Sequence, residues 1–206
     1  MKRYIRSAED YDVDKAFNTD RIDRVHMAYD TDSPELLEIY AYDPDMGVRY
    51  NVARNPATPP EVLAVLANDG DAPVLERVAS NPSTPPEALL ALANNENASI
   101  SYNAISNKNF PAVDLQTFAD SPNIVLRKAA AHNPNITPEI AEQLADDDCP
   151  SVREALACNE LIPQEVCEKL THDSVFSVSY QADCTLSCIL EMDYEEYLNM
   201  KYSKNN

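Results

Sequence analysis

VRYNVARNPATPPEVLAVLANDGD, running from Val48 to Asp71, decides the fold. Its apolar residues fall at 48, 52 and 53, then at 62, 63, 66 and 67. Each set is one stripe at helical spacing. Asn55-Pro56 stands between them, and a residue before proline disfavours the helical region, so the first helix ends there. Thr58-Pro59-Pro60-Glu61 opens the second. Threonine at the cap, proline in the first turn and glutamate three residues on predict a capping box.

The pattern returns every 26 residues. Asn55, Asn81, Asn107, Asn133 and Asn159 share one register. Val48, Val74, Ile100, Leu126, Val152 and Val178 share another, and Leu66, Leu92, Phe118, Leu144 and Leu170 a third. Asp45, Asp71, Asn97 and Asn123 stand where a side chain caps the first helix; Cys149 departs from them. Extended backwards, the spacing sets Ile22 on Val48, His26 on Val52, Pro34-Glu35 on Pro60-Glu61 and Tyr40-Ala41 on Leu66-Ala67. It predicts an unbroken register from Ile22 to Val178, with Asp32 and Glu35 repeating the capping pair and His26 facing inward.

One helix pair cannot bury its apolar face alone, so neighbouring pairs stack. The expected fold is all-α: a right-handed α-solenoid of 26-residue two-helix repeats. The expected organisation is a single repeat domain over 1–206. Within it, 1–20 is an N-terminal cap, 21–46 a divergent repeat, 47–176 five full repeats, and 177–206 a partial repeat with a C-terminal cap helix. That last helix is expected over Cys188 to Tyr202, with Leu190, Tyr194, Tyr197 and Leu198 on its apolar face.

These residues resemble the leucine-rich repeat variant. Its repeat reads roughly V-R-x-x-V-A-x-N-P-x-T-P-x-x-L-x-x-L-A-x-D. Val48-Arg49, Val52-Ala53, Asn55-Pro56, Thr58-Pro59, Leu63, Leu66-Ala67 and Asp69 follow it, as do Val152-Arg153, Asn159, Leu170 and Asp173. The third repeat departs, with Asn107-Lys108 for Asn-Pro and Phe110-Pro111 for Thr-Pro. The resemblance spans about 46–175 and implies alternating α- and 3₁₀-like helices in a superhelix, without implying one activity. HEAT-like repeats are the nearest alternative, but their units are longer. The family's founding example carries an iron–sulfur cluster on a separate cysteine-rich segment; no such N-terminal cluster occurs in this sequence, and no cofactor or metal is expected.

Composition narrows the function. The chain has 206 residues, net charge -19, 15 Pro and only 2 Gly. Two glycines cannot build the usual phosphate-cradling loops. The acidity argues against direct nucleic-acid binding and against anionic membranes. No apolar run approaches the ~20 residues of a membrane span. Five cysteines, without a secretory signal, point to a reducing, cytoplasmic setting.

The Asn ladder reads as structural, each amide satisfying backbone groups at a corner. Arg49, Arg127 and Arg153 are expected to pair with Asp69, Asp147 and Asp173. His132, Cys158 and Cys184 form a one-register row, but neighbouring repeats lie ~8–10 Å apart, too far for a shared zinc ion. Cys184 and Cys188, at i and i+4, keep the only plausible ligand spacing. His172-Asp173-Ser174 has a triad's letters, yet triads assemble in space. Asp146-Asp147-Asp148 lacks a calcium loop.

What the repeat leaves free is a face on the first helices: Tyr50, Asn51, Arg54, Arg77, Tyr102, Asn103, Lys128, His132 and Tyr180. A constant core with a varying face is how a solenoid recognises partners. The expected function is a non-enzymatic scaffold, monomeric, that binds an unidentified protein or peptide along that face. An acidic decoy that mimics nucleic acid is the alternative. Between 46 and 175, 18 acidic residues meet 8 basic ones, so the charge is distributed. A metal or redox protein using the C-terminal cysteines is the third reading.

Overall fold

The computed structural model describes residues 19–191. These hold thirteen α-helices, one 3₁₀ turn and no strand. Two compact units divide the chain, Met1–Asn109 and Phe110–Asn206. Most of the expected N-terminal cap, and the C-terminal helix with Tyr194, Tyr197 and Leu198, lie outside the described residues.

Each unit alternates leading and trailing helices. In the first, the leading helices are Arg21–Asp30, Met46–Arg54, Ala72–Ser80 and Ala98–Ser106. Pro34–Tyr40, Pro60–Leu66 and Pro86–Ala93 trail them. In the second, the leading helices are Ile124–His132, Pro150–Ala157 and Phe176–Ile189. The trailing ones there are Leu115–Ala119, Pro138–Ala145 and Gln164–Leu170. Within a unit, each leading helix packs on the next. The predicted stripe is what they bury: Val48, Val52, Ala53, Val74, Val78 and Ala79 are inaccessible to solvent. Each fully buried valine or leucine stabilises the stack by roughly 1.5–3 kcal/mol.

Four local expectations change. The first copy is out of register by one residue in its leading helix. Its cap is Asp20, whose side chain accepts from the Ile22 amide, as Asp45 accepts from the Gly47 amide. Asp20 thus matches Asp45, Arg24 matches Arg49, and Ala28, fully buried, matches Ala53. Ile22 is therefore exposed, and so is His26. The link to the next helix is one residue shorter than in the other copies, which restores the 26-residue register for Pro34–Tyr40, and Ser33, not Asp32, accepts from the Leu36 amide.

The capping box does not form at Thr58 or Thr84. Helix Pro60–Leu66 starts after an extended Pro59, and no side chain caps it. The buried Thr58 hydroxyl turns back and donates to the Val52 carbonyl at 2.5 Å; Thr84 does the same to Val78. The trailing-helix caps that do accept stand one residue later, in the Pro59 register: Ser33 accepts from the Leu36 amide and Thr137 from the Ile140 amide. Among the leading-helix caps, Asn97 and Asn123 accept as predicted, but Asp71 makes no cap bond because the residue two on is Pro73, which has no amide hydrogen; its carboxylate pairs with Arg49.

The 3₁₀ character implied by the resemblance is confined. Ala112–Asp114 is a 3₁₀ turn, placed where Phe110-Pro111 replaces Thr-Pro. Phe110 is buried there, edge-on to Phe118 at 5.5 Å. Elsewhere the trailing helices are α and tighten only at their ends, as where the Asn68 and Asp69 amides reach back three residues to Val65 and Leu66. Helix Phe176–Ile189 ends near Glu191, whose φ of 54° lies in the left-handed region.

Candidate functional site

Two sets of polar side chains hold the repeats, and removing them from consideration isolates the candidate face. The first set is the asparagine ladder. Asn81 Nδ2 donates to the Ala53 and Asn55 carbonyls of the preceding repeat at 2.8 and 3.1 Å, while its Oδ1 accepts from the Ser83 amide. Asn107 repeats this to Ala79 and Asn81, and Asn159 to Ala131 and Asn133. Asn55 reaches Ala28, Tyr29 and Thr31. Asn133 is fully buried, and its Oδ1 accepts from the Asn135 amide. Each amide saturates carbonyls that a helix end leaves open.

The second set is an arginine clamp. Arg49 grips Asp69 with two nitrogens, at 2.6 and 3.2 Å, and its third donates to the Asp43 carbonyl. Arg127–Asp147 and Arg153–Asp173 repeat the fork, and Arg24–Asp43 completes the set in the first copy. The Arg153 guanidinium holds the Asp173 carboxyl below its usual range. Each aspartate does a second job, accepting the amide two residues on, as Asp69 does from Asp71. Asn95 and Ser121 do only this second job.

In the Met1–Asn109 unit, the remaining polar side chains on the leading helices form a row. Arg54 lies over the Tyr29 ring at 5.2 Å, and Arg77 over the Tyr50 ring at 5.3 Å. Tyr50 and Arg54 share a helix at i and i+4, so the two stacks adjoin. Tyr29 belongs to this row although the 26-residue spacing placed it with Asn55. Aligning Asp20 on Asp45 brings it to Arg54. Asn51 is committed to the scaffold, donating to the Val25 carbonyl at 3.0 Å. Tyr102 and Asn103 are half-buried on Ala98–Ser106.

The other candidates lie in the second unit. Lys128 and His132 share helix Ile124–His132, both half-buried. His132 Nδ1 sits 3.2 Å from the Lys128 carbonyl, and burial pushes its pKa below 6.5. Tyr180 stacks on Phe176 at 5.8 Å, and Phe176 is 79% exposed.

The chemistry-bearing side chains elsewhere are otherwise engaged. The five cysteines are free thiols; burial raises Cys167 to about 12, while a Ser151 hydrogen bond lowers Cys149. No group of three or more metal-ligating side chains gathers among the described residues. His172 Nδ1 lies near the Glu168 carbonyl and the Thr171 hydroxyl, while Asp173 belongs to its clamp. Asp146 meets Lys169, and Asp147 meets Arg127. No helix among the described residues is long and apolar enough to cross a membrane.

The leucine rich repeat variant family matches residues 47–71, and the resemblance read from the sequence is borne out there. Comparison with curated proteins finds no match. Among solved structures, the chain is similar to a leucine-rich repeat variant with a novel repetitive structural motif. The two are 22% identical over 86% of this chain and 73% of that one, with a TM-score of 0.56. A designed armadillo repeat protein aligns over 86% of this chain and 98% of its own, at 14% identity and a TM-score of 0.37. The first likeness shows the fold, an all-helical repeat stack; the second is too loose to argue from.

Proposed function

We propose that this chain is a non-catalytic scaffold that binds a protein or peptide along its leading-helix face, centred on Tyr29, Tyr50, Arg54 and Arg77 and extending to Tyr102 and Asn103. Helical-repeat folds of this kind are typical of interaction modules. The observation that carries the reading is the division of labour among the arginines. Arg24, Arg49, Arg127 and Arg153 are locked to aspartates, whereas Arg54 and Arg77 lie on tyrosine rings at the surface row. Tyrosine and arginine are the residue types that dominate interface energetics. Lys128, His132 and Tyr180 are proposed as a contact surface of the second unit, used by the same partner or another.

The decoy reading is weaker. Asp43, Asp69, Asp147 and Asp173 are bound to arginines rather than displayed. The five free thiols suit a reducing, cytoplasmic setting, and the proposed working form is a monomer. Crosslinking from a photoreactive group at position 80, exposed on the helix that carries Arg77, in cells expressing the protein, tests the face. Adducts that disappear when Tyr50, Arg77 and Tyr102 are changed to Ala, with the fold intact by circular dichroism, support it. Adducts that survive all three changes sink it.

A further inference from the structure

We infer that the Arg54 and Arg77 row takes two carboxylates of an extended acidic peptide; this rests on the face proposed above and names the chemistry of its ligand. Arg21, Arg24, Arg49, Arg127 and Arg153 each pair with an aspartate. Arg54 and Arg77 form no ion pair among the described residues. Carboxylates are not scarce, since the chain carries 35 acidic against 16 basic side chains. Glu76 neighbours Arg77 in sequence and occupies the Tyr50 register, yet it bridges to neither arginine.

The geometry of the pair suits a planar acid. A guanidinium stacked on a ring keeps its nitrogen edge free for a bidentate carboxylate. Arg77 also has a buried Nε with no hydrogen-bond partner. That Nε is closed to solvent, so a ligand carboxylate meets Arg77 through its terminal nitrogens.

Spacing narrows the ligand further. Adjacent leading helices sit ~8–10 Å apart, and Arg54 and Arg77 stand on neighbouring ones. A polyproline II chain advances ~3.1 Å per residue with three residues per turn, so acids at i and i+3 project to one side ~9 Å apart. A protein of net charge -19 repels a continuous polyphosphate along its length, whereas a peptide brings charge only at the pair.

Selection of a random displayed peptide library on the full chain tests the inference. The expected result is enrichment of paired Asp or Glu three residues apart. Arg54→Gln and Arg77→Gln should each weaken a selected peptide about tenfold. Glu76→Gln should strengthen it about twofold, as removal of a nearby like charge. Unchanged thermal unfolding confirms that the variants fold. Neutral or basic peptides that lose binding on Tyr50→Ala overturn the acidic chemistry while keeping the face. Peptides indifferent to Tyr50→Ala and to both arginines, or an empty selection, overturn both. A single-stranded oligonucleotide that displaces the selected peptides more strongly than an acidic competitor also overturns the inference.

Discussion

Two neighbouring repeats in the Met1–Asn109 unit solve the same corner differently. In one, Arg49 forks onto Asp69, and Asp69 also accepts the amide of Asp71. In the next, Leu75 replaces the arginine and Asn95 the aspartate, and Asn95 still accepts the amide of Asn97. The closing of the turn survives and the ion pair does not. Closing the turn is thus the indispensable task, and the clamp is an addition that ties in a third element through the Asp43 carbonyl. Leucine with asparagine, or arginine with aspartate, are matched sets. A mixed set strands a charge.

The ladder common to both repeats gives the largest expected effect. Asn81→Ala removes three hydrogen bonds at a buried site and should cost about 3 kcal/mol in urea unfolding. A similar loss for Asn107→Ala would show that the ladder is indifferent to the clamp. A mixed set comes next. Asp69→Asn keeps the turn but leaves Arg49 short of its main partner, at about 2 kcal/mol. Adding Arg49→Leu recreates the Leu75 and Asn95 pairing and should recover most of that loss; a double variant worse than the single one would break the comparison.

Acid supplies a smaller, pH-selective test. The folded-state pKa of Asp173 lies below 3.8 because Arg153 donates to it. Its contribution is complete above the unfolded value and is lost as pH falls through the folded one. Combining Arg153→Leu with Asp173→Asn should flatten the stability profile below about pH 4 and leave its shape above that unchanged. His132 acts higher: with its pKa lowered by burial, its contribution is full above about 6.5 and declines as pH falls. The smallest effect is at Thr84. Thr84→Val deletes one hydroxyl bond at a site where the second unit uses Phe110, Ile136 and Ile162, so it should cost about 1 kcal/mol.

Much of this was legible in the sequence because stacking imposes one period on every residue that touches a neighbour. The Asn positions, the Val48 and Leu66 registers, and the arginine–aspartate pairs all follow from it. The period cannot reveal a missing residue between two helices, which shifts the helix before it and leaves the next in place. A strict 26-residue spacing therefore sets Tyr29 on Asn55 and turns His26 inward. Only the cap, Asp20 against Asp45, carries the signal. Thr58 departs from the capping box for another reason. Its hydroxyl can serve the helix ahead or the carbonyl behind, and the extended Pro59 backbone decides for the carbonyl. Asp71 makes no cap bond because Pro73 has no amide hydrogen, a signal the sequence does carry.

The arginines divide into two kinds, those that hold repeats through aspartates and those, Arg54 and Arg77, proposed to meet a partner. Comparing the urea unfolding of Arg49→Gln with that of Arg77→Gln tests this division most directly. Arg49→Gln breaks a clamp and should lose about 2 kcal/mol. Arg77→Gln should lose less than about 1 kcal/mol, the worth of a surface stack on tyrosine. Equal losses would contradict the division, because Arg77 would then belong to the scaffold.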